Sequence, residues 1–313
     1  MRTRYFLILV ALVFLAACST GSKDSDLEKE IYKGTTGVVV SFFGNNIGDE
    51  VFEGEQLNLP IKFENKGAYD VTNSKLVVAA EKGFMNFPGG SNIYQKSGIK
   101  LNGKNVFVTF DDFHIEELNL QVNKLSPLSE YHDSLVIVNF CYDYKNMAFT
   151  EVCIDTDPHN QRVSDKTCSQ IDSIGLSGGQ GGPVVINRIE TRMLVFDNAI
   201  RPQFKIYISN TGKGTVISPN KIDSVCSQDS VGQQTYNSLK LTALDMSGYT
   251  LQNFECLPSE LVLYRDEDFI TCTLKSGISR DKQPYITPLK VELSYGYMDS
   301  AAKEIKINKI LRV

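Results

Sequence analysis

Two stretches of this chain repeat each other. Residues 59–71 read LPIKFENKGAYDV and residues 204–216 read FKIYISNTGKGTV. At one constant offset, Leu59, Ile61 and Phe63 match Phe204, Ile206 and Ile208. Asn65 and Gly67 match Asn210 and Gly212, and Val71 matches Val216. In both copies the apolar residues alternate with polar ones. Side chains of a strand leave opposite faces in turn, so a period of two means a strand with one buried face. The Asn-x-Gly that follows reads as a turn or bulge, because both residues tolerate positive φ. A second match joins residues 136–154 to 289–307. Val136, Val138, Phe140, Tyr142 and Tyr144 align with Leu289, Val291, Leu293, Tyr295 and Tyr297. Val152 and Ile154 align with Ile305 and Ile307. Each copy then ends in a strand, a tight turn and a return strand. Two matches in the same order and phase mean one domain present twice.

The remaining segments agree with a β-fold. Gly37–Phe43 and Val184–Phe196 read as the opening strands of the two copies, and Val106–Phe110 as one of several short β-rich runs. Glu116–Leu125 is the one candidate for a helical turn. The expected fold is all-β: two tandem Ig-like antiparallel β-sandwich domains, residues 35–170 and 184–313, joined by a Gly-rich linker at 171–183. The length of 313 residues suits two domains. Fragments cut near residue 180 are expected to fold separately.

That linker holds GLSGGQGG, residues 175–182. Leu-Ser-Gly-Gly-Gln is the signature loop of ABC-type ATPases, and Gly-Gly-Gln is the peptidyl-tRNA hydrolysis motif of release factors. An ABC loop acts opposite a Gly-x4-Gly-Lys-[Ser/Thr] phosphate loop, which this sequence lacks. The segment, ending in Pro183, is expected to be a hinge.

The N-terminus reads MRTRYFLILVALVFLAACST. Arg2 and Arg4 precede a short apolar run that ends in Leu15-Ala16-Ala17-Cys18, which resembles the lipobox of prokaryotic lipoproteins. Residues 1–17 are expected to be a signal peptide, with Cys18 carrying the lipid and residues 18–34 forming a polar, flexible tether. Two acyl chains anchor a protein stably where one does not. The lipid bilayer is thus the expected first partner, reached from the extracytoplasmic face.

Six cysteines remain: Cys141, Cys153, Cys168, Cys226, Cys256 and Cys272. An even number in an exported chain reads as disulfides. No Cys-x2-Cys pair favours zinc. On the hairpin reading, Cys141 and Cys153 face each other across the strands and form the first-choice pair. Cys256 and Cys272 flank a short β-rich segment and pair next. Cys168 and Cys226 remain, as a bridge between the domains. Asp155 and Asp157, in the loop DTDPHN, are weak calcium candidates, and no other metal or cofactor is expected. His114, His132 and His159 lack a recognisable nucleophile context. The formal net charge of -5, without a basic stripe, argues against nucleic acid.

The strand ending in Asn-x-Gly, at 63–67 and 208–212, resembles the CARDB-type and related Ig-like modules of prokaryotic cell-surface proteins. With the lipobox, the layout is similar to archaeal envelope lipoproteins. The resemblance carries no catalytic residues. It implies a non-enzymatic surface lipoprotein acting in adhesion, envelope structure or binding of an envelope partner. A solute-capture lipoprotein serving a transporter is the competing reading, and an extracellular β-sandwich enzyme the third.

Overall fold

The computed structural model describes residues 31–44, 49–162, 165–227, 232–265 and 267–310. The expected signal peptide, Cys18 and most of the expected tether lie outside them. The first copy supplies β1 (Val38–Phe42), β2 (Glu50–Phe52), β3 (Gln56–Asn65), β4 (Ser74–Ala80), β5 (Met85–Asn86), β6 (Ile93–Ser97), β7 (Asp112–Val122) and β8 (Tyr131–Ile154). Then come β9 (Ser173–Gly175), β10 (Val184–Phe196), β11 (Ala199–Asn210), β12 (Thr215–Ile217) and β13 (Ser238–Met246). The chain closes with β14 (Phe254–Leu257), β15 (Leu261–Val262), β16 (Asp268–Leu274), β17 (Ile278–Ser279) and β18 (Tyr285–Asn308). One-turn helices are the only helical elements among the described residues. None is long and apolar enough to cross a membrane.

The fold is all-β and built from sandwiches. One sheet of the first copy runs β1-β3-β7-β5; its counterpart in the second runs β10-β11-β16-β14, with β9 added beside β10. Leu59, Ile61 and Phe63 turn inward from β3, as Phe204, Ile206 and Ile208 do from β11, and all six are fully buried. The opening strands match their expected extents closely, β10 residue for residue. Glu116–Leu125 is not helical. Its apolar residues fall at Leu118, Leu120 and Val122, a period of two, and most of it lies in β7. Val106–Phe110 forms no strand.

The two copies share their other sheet. It runs β15-β13-β18-β8-β4-β6, so β18 of the second copy lies beside β8 of the first. The two are antiparallel from Tyr131↔Asn308 to Ile154↔Tyr285 without a break. The expected return hairpins are therefore absent: each is one 24-residue strand. Val136 through Ile154 keeps one buried phase, and the buried phase of β18 starts at Thr287. Asp143 pairs with Gly296, its repeat equivalent, so a pseudo-two-fold axis passes through that pair. A single buried core spans both copies. The boundary near residue 180 divides them in sequence and not in space.

Candidate functional site

The pseudo-two-fold axis passes through a waist filled by four tyrosines. Tyr142 lies across from Tyr297, and Tyr144 from Tyr295. All four rings are buried. A buried phenol needs hydrogen-bond partners, since an unmet one forfeits its hydration. The repeated Asn-x-Gly supplies them. Asn65 ends β3, and its Oδ1 accepts from the Tyr144 hydroxyl (3.2 Å) and the Gly67 amide (3.1 Å). Its Nδ2 donates to the Tyr69 carbonyl at 2.8 Å, while the Tyr69 amide donates to the Tyr144 hydroxyl at 3.3 Å. The second copy repeats the set. Asn210 Oδ1 accepts from Tyr297 (3.1 Å) and the Gly212 amide (3.2 Å), its Nδ2 reaches the Gly214 carbonyl (2.9 Å), and the Gly214 amide meets Tyr297 (3.0 Å).

The motif is not the positive-φ turn that its residue types suggest. None of Asn65, Gly67, Asn210 and Gly212 has positive φ. Glycine is required for space: a Cβ on Gly67 would overlap the Tyr144 hydroxyl, and one on Gly212 the Tyr297 hydroxyl. The sequence held the motif, but its partner lies 79 residues away.

The other two tyrosines cross between copies. The Tyr142 hydroxyl accepts from the Val38 amide (3.0 Å) and donates to Asp299 Oδ2 (2.9 Å). The Tyr295 hydroxyl donates to Asn146 Oδ1. Asn146 and Asp299 are equivalent positions, two residues beyond Tyr144 and Tyr297. Burial pushes the Tyr142 and Tyr295 phenols well above their ordinary range. Burial also raises Asp299 to about 6, against the pull of its bond from Tyr142. A folded pKa above the unfolded 3.8 means that the folded state holds this proton more tightly. The resulting stability is full below pH 3.8 and is lost as pH rises through about 6. Asp299→Asn, which copies Asn146, should remove that loss and stabilise the protein at pH 7 by about 2 kcal/mol, allowing for partial exposure. Urea unfolding at pH 4 and pH 7 measures it. A variant no more stable than wild type at pH 7 would show that the carboxylate costs nothing there.

The glycine-rich segment is built into this waist. The Gly34 amide donates to the Gly178 carbonyl (2.7 Å), and the Gly181 amide returns to the Gly34 carbonyl (3.0 Å). Gly181, at φ +70, points its carbonyl at the Ala68 amide, 2.9 Å away. Gln180 is buried and bridges Ile186, accepting from its amide (2.8 Å) and donating to its carbonyl (3.1 Å). Asn146 Nδ2 holds the Gln180 carbonyl at 3.1 Å. The expected hinge is thus a fastened strap. Beside it, Tyr32, Tyr69, Asp70, Lys104 and Lys145 line a cavity of about 540 Å³. A second cavity, of about 590 Å³, lies between Lys33, Phe149 and Leu176.

No protein-family model matches the chain, and no curated protein sequence matches it. Solved structures that resemble it do so distantly, and three of them illustrate the level. Red sea bream transglutaminase matches at TM-score 0.21 and 10% identity, over 94% of this chain and 34% of that one. The chain therefore spans about a third of the transglutaminase's length. The C-terminal globular domain of an oligosaccharyltransferase from Pyrococcus abyssi matches at TM-score 0.20 and 8% identity, over 96% and 58% of the chains. The sporulation control protein Spo0M from Bacillus subtilis matches at 0.17 and 11%, over 55% and 80%. Likeness at this level carries no argument about function.

All six cysteines after Cys18 are paired, but not all as expected. Cys141 pairs with Cys226, Cys153 with Cys168, and Cys256 with Cys272. The expected pairs Cys141–Cys153 and Cys168–Cys226 depended on the hairpin. Along one extended strand, twelve residues put the two thiols about 40 Å apart, far beyond bonding range. Cys141–Cys226 instead clamps a one-turn helix, Ile222–Cys226, onto the outer face of the shared sheet, with Val77, Ile217, Ile222 and Val225 around it. Three disulfides point to an oxidising, extracytoplasmic environment.

Asp155, Asp157, His114 and His132 already have protein partners. Lys166 Nζ lies 2.8 Å from Asp155 Oδ2, both nearly buried. Asp157 accepts from the Gln161 and Arg162 amides at 3.0 and 2.8 Å. A lysine ammonium thus occupies the place where Asp155 would hold a cation. Among the described residues, no group of three His, Cys, Asp or Glu could hold a metal ion. His114 and His132 stand on strands against Glu116 and Glu81, each at 3.0 Å. His159 lines a third cavity with Asp155 and Lys166.

Proposed function

We propose that this protein is a lipid-anchored, non-enzymatic protein of the extracytoplasmic membrane face. It acts as a rigid scaffold for a partner in adhesion or envelope structure, in the manner of CARDB-type Ig-like modules. The observation that carries the proposal is the waist. The polar groups converging there bond to one another and fasten two sandwiches into one body, leaving loops and sheet edges as the surfaces offered outward. The paired cysteines support the compartment, and Leu15-Ala16-Ala17-Cys18 supports the anchor.

The anchor is tested by metabolic labelling with a radiolabelled fatty acid. Wild type should take up label and Cys18→Ala should not; equal uptake would refute lipidation. Photo-crosslinking from the inter-strand loops on intact cells tests the scaffold. A discrete heteromeric adduct is expected, and monomer alone from every loop would count against partner binding.

A further inference from the structure

The loop between Asn102 and Asp112 closes like a hairpin, though neither arm is a strand, and presents aromatic side chains to solvent. At its base the Asn102 amide and side chain both donate to Asp112 Oδ2, at 2.7 and 3.0 Å, and Lys104 pairs with Asp111 at 2.7 Å. At its tip Asn105 and Val108 exchange backbone hydrogen bonds of 2.8 and 3.1 Å. Asn105 Oδ1 also accepts from the Phe107 and Val108 amides, at 2.9 and 3.0 Å. This fixed turn holds Phe107 92% exposed, with Phe110 72% exposed and Val106 44% exposed beside it. Large apolar side chains held outward together mark a contact surface rather than a packing role.

Its position identifies the contact. The described chain begins at Ile31, which is buried, and the Tyr32 ring lies tilted beside that of Tyr69 with centroids 5.9 Å apart. Tyr32 and the hairpin's Gly103, Lys104 and Asn105 line the same cavity of about 540 Å³. The tether therefore enters the fold at the foot of the aromatic hairpin. Between Cys18 and Ile31 lie residues 19–30, which reach about 40 Å at most when fully extended. Their sequence, STGSKDSDLEKE, holds one large apolar residue, Leu27, and is too polar to cover two phenylalanines.

We infer that the tip of this hairpin, Phe107 and Phe110 foremost, is a second membrane contact that dips into the interfacial layer of the bilayer carrying the anchor. The inference rests on the lipid-anchored reading. One acyl-borne attachment and one short aromatic wedge at the same side of the waist give the molecule two membrane contacts close together, with the far end of the first copy left away from the bilayer. Aromatic rings suit that layer because an apolar body can enter while the backbone stays hydrated.

The chain has no tryptophan, so a single introduced indole reports alone. Phe107→Trp, Phe110→Trp and Leu128→Trp are made in the full chain, purified with its anchor and reconstituted in phosphatidylcholine vesicles bearing brominated acyl chains. Leu128, 96% exposed, precedes β8 at the far end of the first copy, about 40 Å along the strand from the waist. Residues 107 and 110 should show blue-shifted emission and loss of intensity on brominated vesicles, and residue 128 neither. Vesicle flotation reads the anchor separately. If the protein floats but 107 and 110 behave like 128, the hairpin does not touch lipid and the inference fails. If the protein does not float, the anchored reading has failed; unquenched emission at saturating vesicles then refutes the hairpin contact as well. A blue shift that is already complete without vesicles would assign the tip to the protein's own surface or to a second copy, and would equally overturn the inference.

Discussion

Gly67→Ala is expected to destabilise the protein by about 3 kcal/mol or more, the upper range for overpacking. A Cβ here meets the Tyr144 hydroxyl, the Gly181 carbonyl oxygen at 2.5 Å and the Thr36 carbonyl oxygen at 2.9 Å. Two of the three are backbone atoms, one just before β1 and the other in the glycine-rich strap. The Gly181 carbonyl already accepts from the Ala68 amide, so it does not move without loosening that bond. Gly212→Ala is the internal comparison, because its Cβ overlaps no main-chain carbonyl and meets the Tyr297 hydroxyl and Pro183 Cβ (2.7 Å). It should cost about 1–2 kcal/mol. Adding Tyr297→Phe to Gly212→Ala should recover part of the loss. Adding Tyr144→Phe to Gly67→Ala should recover little, since the carbonyl overlaps remain. Urea unfolding of the four variants gives the ordering. A Gly67→Ala protein as stable as wild type would mean that the strap does not press on the turn after β3 at all.

Removing the Cys141–Cys226 bridge is expected to cost about 4 kcal/mol, because it closes the longest loop of the three. The sequence separation is 85 for this pair, against 15 for Cys153–Cys168 and 16 for Cys256–Cys272. Chain-entropy reasoning gives about 3 kcal/mol for the short loops. The long bridge also joins the two copies, so Cys141→Ala/Cys226→Ala should loosen the shared sheet and not one sandwich only. Denaturant unfolding under non-reducing conditions measures the loss. Non-reducing peptide mapping of wild type checks the premise even if the double variant does not fold. It should link the peptide containing Cys141 to that of Cys226, and Cys153 to Cys168. Recovery of a Cys141–Cys153 peptide would restore the hairpin and overturn the continuous strand.

The strand faces were legible, and the neighbours of the strands were not. Alternation marked Leu59, Ile61 and Phe63 as inward, and placed β10 at Val184–Phe196, because burial of one face writes itself into consecutive residues. It does not record which strand lies alongside. Residues 136–154 alternate identically whether they fold back on themselves or run straight beside β18. The clue against a turn was local: residues 143–151, DYKNMAFTE, contain no glycine or proline. Polar Asn146 on the inward phase disguised it, and that residue is tolerable there only because Tyr295 and Gln180 of distant segments meet it. Glu116 misled in the same way. It sits on the inward phase of β7, where Lys96 and Tyr94, each at 2.6 Å, compensate its burial. Asn-x-Gly stood out by recurrence, but its meaning lay in tyrosines far along the chain.

The pairing of β8 with β18 about a pseudo-two-fold axis is the geometry of an isologous dimer carried within one polypeptide. In a dimer of identical chains every substitution appears twice, so the two sides of the axis stay alike. Here each side mutates alone. The molecule uses that freedom: Cys141 forms a disulfide with Cys226 where the second copy has Ser294, and Asp299 stands where the first copy has Asn146. Covalent linkage also frees assembly of the pair from protein concentration. The fused chain can thus keep one half as framework while the other acquires new loops.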